Sequence, residues 1–274
     1  ALDGQGLVAG AAVAPSLDAR LASVYARLNG NLERPLLTVG LLLDLAGLAP
    51  WDASARQQLG ERSTLVSSGL VRSAAEVPFH ARSLMAPDRV VQHLLGIDDM
   101  PDELERCIVN VIGVEHEAGS AVVRLLESGN WNVYLRDPAG VAPAIAHEAL
   151  RSLGIAALVV DLGRLGESSS RTVIDVARRE AALRRQALVI GPVDAVPLDR
   201  RVELDLLTDA EVPAIVHGRV TWDPSWVRES PALIDVTPLD SEQRRLVWEE
   251  AFALAGIDLD ADGPASIYHL APTD

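Results

Sequence analysis

Apolar residues between positions 121 and 239 fall in short continuous runs, which are separated by stretches with helical periodicity. The runs predict strands at residues 132–135, 156–162, 187–190, 213–216 and 233–236. Helices are predicted at residues 142–153, at 171–185, and from Ser241 as the capping residue to Ala255. Continuous apolar strands that alternate with helices are typical of a parallel sheet covered on both faces. The predicted fold class is therefore α/β, with a five-stranded parallel sheet flanked by helices.

Residues 1–102 have a different pattern, in which helical stripes come before a short β-like stretch. Helices are predicted at residues 17–28, 38–48, 53–59 after an Asp52 cap, and 89–95 between an Asp88 cap and Gly96. Residues 63–71 read as a pair of short strands around a turn at 67–69. Helices followed by a strand pair indicate a mostly α winged-helix domain at residues 1–102.

The regions that complete the organisation are a linker at residues 103–120, the α/β core at 121–239 and a partial helical lid at 240–274. The linker interpretation depends on its acidic, turn-forming start. Within it, Glu115-His116-Glu117 resembles a metal site at first sight, but adjacent side chains point in different directions and no second histidine follows at i+4. Residues 258–263 match the opening of a calcium loop, yet His269 stands where a glutamate is required. We predict no metal site.

Charge and composition restrict the partners of this chain. The net charge is −15 and every basic residue other than histidine is arginine, with no lysine. Such a chain repels phosphate backbones over most of its surface. In the predicted third helix of the winged-helix domain only Arg56 is basic. This favours a protein-interaction or spacer role for that domain over DNA binding, and we expect protein partners rather than nucleic acid.

The single cysteine, Cys107, excludes an internal disulfide and suits a reducing compartment. It lies in an apolar run, which favours a buried, inert thiol. No apolar run approaches the length of a membrane span. We therefore predict a cytoplasmic protein without a membrane partner.

The loop after the first predicted strand is the position where a P-loop would bind phosphate. That motif requires two glycines, a lysine and a hydroxyl residue in fixed order. Here Arg136 and Val141 stand at the glycine positions, Ala142 at the lysine and Pro143 at the Mg²⁺-binding hydroxyl. Asp137 adds a negative charge where phosphate would lie. We predict that these four degenerate positions bind no nucleotide.

The third predicted strand should end in the acidic residues that hold Mg²⁺ and activate water. It ends instead in Gly191-Pro192. Asp194 follows, but it lies beyond the turn. No catalytic residue, ATP or Mg²⁺ is therefore expected in this chain.

Several stretches along the chain resemble one family of bacterial AAA+ ATPases that carry an N-terminal winged-helix domain. The matching stretches are residues 14–18, 34–40, 88–96, Trp222-Asp223-Pro224, 244–248 and 265–272. Members of this family often carry two AAA+ cores, of which the first is degenerate. The chain is similar to the winged helix and that first core, ending within the lid.

The resemblance implies a strand order of 5-1-4-3-2 and an active ATPase core, with its ATP and Mg²⁺, elsewhere in a longer parent protein. Because AAA+ nucleotide sites lie at subunit junctions, it also implies a contact surface near Arg136 and Asp137 and around Arg244 and Arg245. The predicted function is a non-catalytic module for assembly, including homo-oligomerisation through the parent, or for partner recruitment. The alternative is a winged-helix regulator or DNA-binding protein with a ligand-sensing α/β domain.

Overall fold

The structure is a computed structural model, and it describes residues 4–60, 63–74, 77–166, 169–208, 213–259 and 261–263. The chain divides into two compact units, Ala1–Asp99 and Met100–Asp274. In the described part of the first unit the helices are α1 Gly4–Leu17, α2 Ala19–Leu28, α3 Val39–Leu45, α4 Ala53–Gln58, α5 Thr64–Ser67 and α6 Asp88–Leu94. Its strands are β1 Leu37–Thr38, β2 Arg72–Ser73 and β3 Ser83–Met85, paired antiparallel in the order β1-β3-β2.

Side-chain caps fix where the helices of the first unit begin. The carboxylate of Asp18 accepts from the Arg20 amide, the hydroxyl of Thr38 from Leu41, and the carboxylate of Asp52 from Ala55. The Asp52 cap is the one predicted from the sequence. The core of this unit includes Leu37 of β1, Leu43 of α3 and Leu84 of β3, which are fully buried.

Two local predictions in this unit are wrong. Residues 63–71 contain the helix α5 rather than a strand pair, since Ser63 provides a helix start that the β-like composition masked. The true strands are only two or three residues long, too short for an alternating pattern to be recognised. Asp88 does not cap α6 but is its first residue, and Pro87 precedes it.

The second unit contains the predicted parallel sheet. Within the described residues its helices are α7 Asp102–Glu105, α8 Glu117–Glu127, α9 Ala142–Ser152, α10 Ser170–Arg184 and α11 Ser241–Ala255. Its strands are β4 Asn132–Arg136, β5 Ala157–Asp161, β6 Ala187–Gly191, β7 Ala214–Gly218 and β8 Ala232–Asp235, all parallel in the order β5-β6-β7-β4-β8. Numbered within the sheet this is 5-1-4-3-2, which confirms the predicted order.

The strands read as continuous apolar runs because both faces of the sheet are covered. In β4, Val133 and Leu135 contribute to a core formed with α8 and α9, while Tyr134 between them contributes to a core formed with α7 and α10. Alternate residues of β5, β6 and β7 divide in the same way. A single sheet thus separates two apolar layers.

The segment predicted as a linker, residues 103–120, runs along this sheet. Val109 donates to the carbonyl of Val159 and Cys107 accepts from the Asp161 amide, so its backbone pairs with β5. The segment also contains most of α7 and the start of α8. In the lid region, α11 is capped by Asp240 rather than Ser241, and residues 264–274 lie outside the described part.

Candidate functional site

The loop between β4 and α9 lies at the carboxyl edge of the sheet, where parallel α/β folds bind ligands. β4 lies between β7 and β8. The amide of Asp137 donates to the carbonyl of Gly218 at 2.8 Å, which ties the loop to the end of β7. α9 then begins at Ala142, and Pro143 suits its first turn.

Asp137 fills the interior of this loop with its own side chain. The residue is only 2% exposed. One carboxylate oxygen accepts from the amides of Ala139 at 3.1 Å and Gly140 at 2.9 Å, and the other accepts from Ala142 at 2.6 Å. Gly140 allows this geometry because its φ of +80° is rarely adopted by other residues.

In the P-loop alignment predicted from the sequence, these three amides are among the groups that would hold phosphate. Successive backbone N–H groups at a helix N-terminus form an anion-binding site. Here the anion is the carboxylate of Asp137, which is covalently part of the loop. The sequence predicted that the charge of Asp137 would repel phosphate. The structure shows in addition that its carboxylate already accepts hydrogen bonds from the amides of the loop.

The other degenerate loop positions surround this carboxylate. Val141, Ala142 and Pro143 are buried, so their side chains support the loop rather than face solvent. Arg136 is partly exposed, and its Nε lies 2.6 Å from Oδ1 of Asp235 at the end of β8. Asp235 holds the pKa of this guanidinium above its ordinary value. The predicted loop residues therefore lie together at one edge.

Gly191, at the end of β6, leaves no room for an acidic residue. A Cβ at this position would clash with the carbonyl oxygen of His217 and lie 2.7 Å from its ring. The next residue is Pro192, and Asp194 lies further on. The carboxylate of Asp194 accepts from the amides of Arg219 at 2.8 Å and Val220 at 3.2 Å, which gives it a structural role.

His217 occupies the space in front of β6. It is buried, at 8% exposure, and burial lowers its pKa from the ordinary 6.5 to about 4, although Asp194 acts in the opposite direction. The ring is therefore neutral at pH 7. His217 was not among the site residues predicted from the sequence, where the available indication was a histidine at the end of an apolar strand, followed by Gly218.

An aromatic cluster closes the α10 side of the same edge. Tyr134 lies 4.8 Å from Trp222, and Trp222 lies 5.2 Å from Trp226 between ring centroids. The Tyr134 hydroxyl donates to the carbonyl of Val220 at 2.7 Å. The guanidinium of Arg201 lies over the Trp226 ring at 4.8 Å.

Arg244 and Arg245, the other predicted contact residues, lie in the first turns of α11. Arg244 donates to the carbonyl of Leu239 at 2.6 Å, and Arg245 pairs with Glu249 one turn later. Both side chains are partly exposed. Of the four predicted interface residues, Asp137 faces into its loop, while Arg136, Arg244 and Arg245 remain accessible in part.

A groove of about 990 Å³, the α11 groove, lies beside α11. Its walls are residues 111–115, the second half of α9 and one face of α11. Six carboxylates line it: Glu115, Glu148, Asp240, Glu242, Glu249 and Glu250.

Among the residues that the structure describes, no group of three or more metal-ligating side chains is found. His116 instead caps α8, since its Nδ1 accepts from the Ala118 amide, and its Nε2 lies 3.1 Å from the Thr237 hydroxyl. The calcium-like run beginning at Asp258 includes Asp260 and His269, which lie outside the described residues. Across the described ranges, every helix is too short or too polar to cross a bilayer.

Comparison with known families finds one match, to the family described as "Winged helix domain, variant", over residues 8–108. This range covers most of the first unit and the start of the second. The N-terminal region is thus a winged-helix region, as predicted from the helices and short strands. Comparison with curated proteins gives no match for the chain. The resemblance of the second unit to AAA+ cores remains a prediction.

Proposed function

We propose that the α/β unit is a non-catalytic AAA+-like module of a larger ATPase, which serves assembly or partner recruitment. The order of the parallel strands and the winged-helix region before them support this proposal. Hydrolysis would take place in another core of the parent protein. In this chain the fold is retained while the phosphate-binding chemistry is replaced.

The occupation of the loop by Asp137 is the observation that carries the proposal. A nucleotide would have to displace a buried carboxylate from three amides, and it would find no lysine to offset its charge. At the neighbouring acid position, the contact between Gly191 and His217 excludes a Mg²⁺-holding side chain. Both changes stabilise the edge of the sheet without a ligand.

Titration calorimetry with Mg-ATP tests the catalytic half of this proposal. We expect no heat of binding for the chain at physiological nucleotide concentrations, because its loop donors are occupied. The Asp137→Ala variant is the matched comparison, since it frees the same amides without adding a lysine. A micromolar site in the unmodified chain, removed by a change in residues 139–142, would contradict the proposal.

Deletion of residues 121–239 from the whole reading frame tests the assembly half. Ordering a packed α/β core has a large entropic cost, so an interaction that maintains it is expected. We expect the deletion to change oligomer size or the ATPase rate of the parent. The double change Arg244→Ala and Arg245→Ala tests the predicted contact surface more gently. Unchanged size, rate and partner binding would leave the module without this function.

The winged-helix match also keeps a second candidate, a DNA-binding regulator whose α/β unit senses a ligand. The predicted third helix offers this candidate one basic side chain, Arg56 on α4. The guanidinium of Arg56 lies over the Phe79 ring, 4.7 Å from its centroid, and that of Arg82 lies 5.9 Å from the same centroid. We expect only weak, salt-sensitive association with duplex DNA at about 150 mM salt. Saturable sub-micromolar binding in fluorescence anisotropy, lost in Arg56→Ala, would favour this candidate instead.

A further inference from the structure

α11 borders the α11 groove with a face on which glutamates alternate with leucines, since Glu242, Leu246, Glu250 and Leu254 follow one another at intervals of four residues. It is a fifteen-residue helix, yet none of its residues is buried. Leu246 is 52% exposed and Leu254 is 75% exposed, and both line the groove with Val247. These side chains give the groove exposed apolar positions among its carboxylates.

The rim of the groove is strongly acidic. Among the lining residues that the structure describes, six are acidic and one is an arginine, Arg151, which pairs with Glu148 at 2.6 Å. Asp240 caps α11 and Glu249 pairs with Arg245. Within the part of the chain that the structure describes, the carboxylates of Glu115, Glu242 and Glu250 make no hydrogen bond or ion pair.

Two of these carboxylates, Glu115 and Glu250, lie near the same side chain, Arg151. The pKa of Arg151 is raised first by its hydrogen bond to Glu148, and also by the charges of Glu115 and Glu250. Glu115 and Glu250 therefore lie on the side of the groove where Arg151 lies, while the hydrogen bond of Arg151 goes to Glu148. They are placed to meet added positive charge from another molecule.

The walls of the groove are fixed before any partner arrives. The side-chain amide of Gln243 on α11 donates to the carbonyl of Glu115 at 2.7 Å. Gly113 lies so close to α9 that a Cβ there would be 2.6 Å from a carboxylate oxygen of Glu148. A preformed groove binds with less ordering cost than one that must be assembled.

We propose that the α11 groove binds a basic amphipathic segment of a partner protein. Its apolar residues would cover Leu246, Val247 and Leu254, and its lysines or arginines would meet Glu115, Glu242 and Glu250. The helix α11 is about 22 Å long, which matches a segment of about four helical turns. This inference rests on the proposed function, because it supplies the recruiting surface of the module.

Charge selects this occupant over others. A second copy of this chain carries the same net charge of −15 and would be repelled. Nucleic acid and anionic membrane surfaces are also negative. A basic segment with one apolar face would cover the leucines of the groove and pair with its carboxylates, as in helix-in-groove recognition.

The test uses a synthetic fifteen-residue peptide with leucines at helical spacing and lysines on the flanking positions, titrated by fluorescence anisotropy. We expect saturable binding that weakens about tenfold in the double variant Glu242→Lys and Glu250→Lys. A similar loss is expected in Leu246→Asn with Leu254→Asn, because the apolar floor is removed. A peptide with glutamates in place of the lysines should not bind.

The matched control is Glu103→Lys with Glu105→Lys on α7, which makes the same change in net charge at exposed positions outside the groove. It should change affinity less than about twofold. Equal losses in both double variants would mean attraction to the overall charge and would overturn the proposal. Binding that occurs only after residues 264–274 are removed would identify the chain's own segment as the occupant and would also overturn it.

The two proposals fail separately in these experiments. Mg-ATP binding at residues 139–142 would contradict the non-catalytic module and leave the peptide result intact. Absence of peptide binding in a folded chain, as checked by circular dichroism, would contradict the groove assignment and leave the nucleotide result intact.

Discussion

The carboxyl edge of the sheet and the α11 groove differ in how their polar groups are satisfied. At the edge, the carboxylates of Asp137 and Asp194 accept hydrogen bonds from backbone amides, and the side chains of His217 and Trp222 are buried. In the groove, Glu242 and Glu250 are exposed beside uncovered leucines. At the carboxyl edge, the closed edge of this comparison, the chain's own carboxylate occupies the loop amides, whereas the described lining of the α11 groove keeps exposed carboxylates. Binding capacity is thus not fixed by topology.

Replacing Gly191 with alanine should break the closed edge most severely. The new Cβ would meet the backbone of His217, which cannot move aside as a flexible side chain could. We expect a loss of about 4 kcal/mol in the free energy of unfolding, measured by urea denaturation. The control is Gly10→Ala in α1, where nothing lies within 4 Å of the added Cβ and stability should not fall. A neutral Gly191→Ala variant would show that the edge is loosely packed.

Removal of the internal anion by Asp137→Ala should cost about 3 kcal/mol, because three amides lose their acceptor. The same variant sharpens the comparison through chemical rescue. Inorganic phosphate should raise its melting temperature more than chloride does at equal ionic strength, since the freed amides can bind an anion. Asp223→Ala serves as the control, as that carboxylate caps a short exposed turn at Ser225. Equal responses in both variants would contradict the role of Asp137 as an internal anion.

Acidification should open the closed edge by charging His217. The folded pKa lies below the unfolded one, so the unfolded state takes up the proton first and stability falls as the pH decreases from 6.5 towards about 4. From about pH 7.5 to about pH 5 the expected loss is about 2 kcal/mol. The pKa values of Glu148 and Asp205 are also lowered in the fold. Their contributions to the free energy of unfolding are lost only as the pH falls below their ordinary, acidic pKa values. A His217→Gln variant should flatten the pH profile in this window, and an unchanged slope would assign it to other groups.

The smallest effect is expected on the open side of the comparison. Leu254→Ser, at an exposed position of α11, should change the free energy of unfolding by less than about 0.5 kcal/mol. The same substitution at Leu150, which is fully buried in α9, should cost about 3 kcal/mol. Urea denaturation of both variants checks the contrast. A large cost at Leu254 would mean that α11 is already covered in solution.

The sequence predicted the sheet well because burial on both faces leaves a strong pattern. β6 is five buried residues without interruption, and its limits were predicted to within one residue. The winged-helix region was predicted as a type of domain, but the positions of its strands were not predicted. Strands as short as β1 and β2 carry no periodicity, and their positions depend on tertiary pairing with β3.

The chemistry of the site was only half visible in the sequence. Missing residues can be read directly, so the absence of the lysine and of the acidic pair was evident. The inward turn of Asp137 and the position of His217 against Gly191 depend on contacts between separate strands, which no local pattern encodes. The α11 groove likewise forms from three separated segments.

The tryptophans give the two units separate spectroscopic signatures. Trp51 in the winged-helix region is 80% exposed, whereas Trp222 and Trp226 in the aromatic cluster are 6% and 7% exposed. Iodide should therefore quench Trp51 readily and the partly exposed Trp131 and Trp248 to a smaller extent, and the emission that survives should come mainly from the aromatic cluster. Because Trp222 contacts Tyr134 on β4, a blue shift or red shift of that residual emission reports on events at the closed edge without any attached dye.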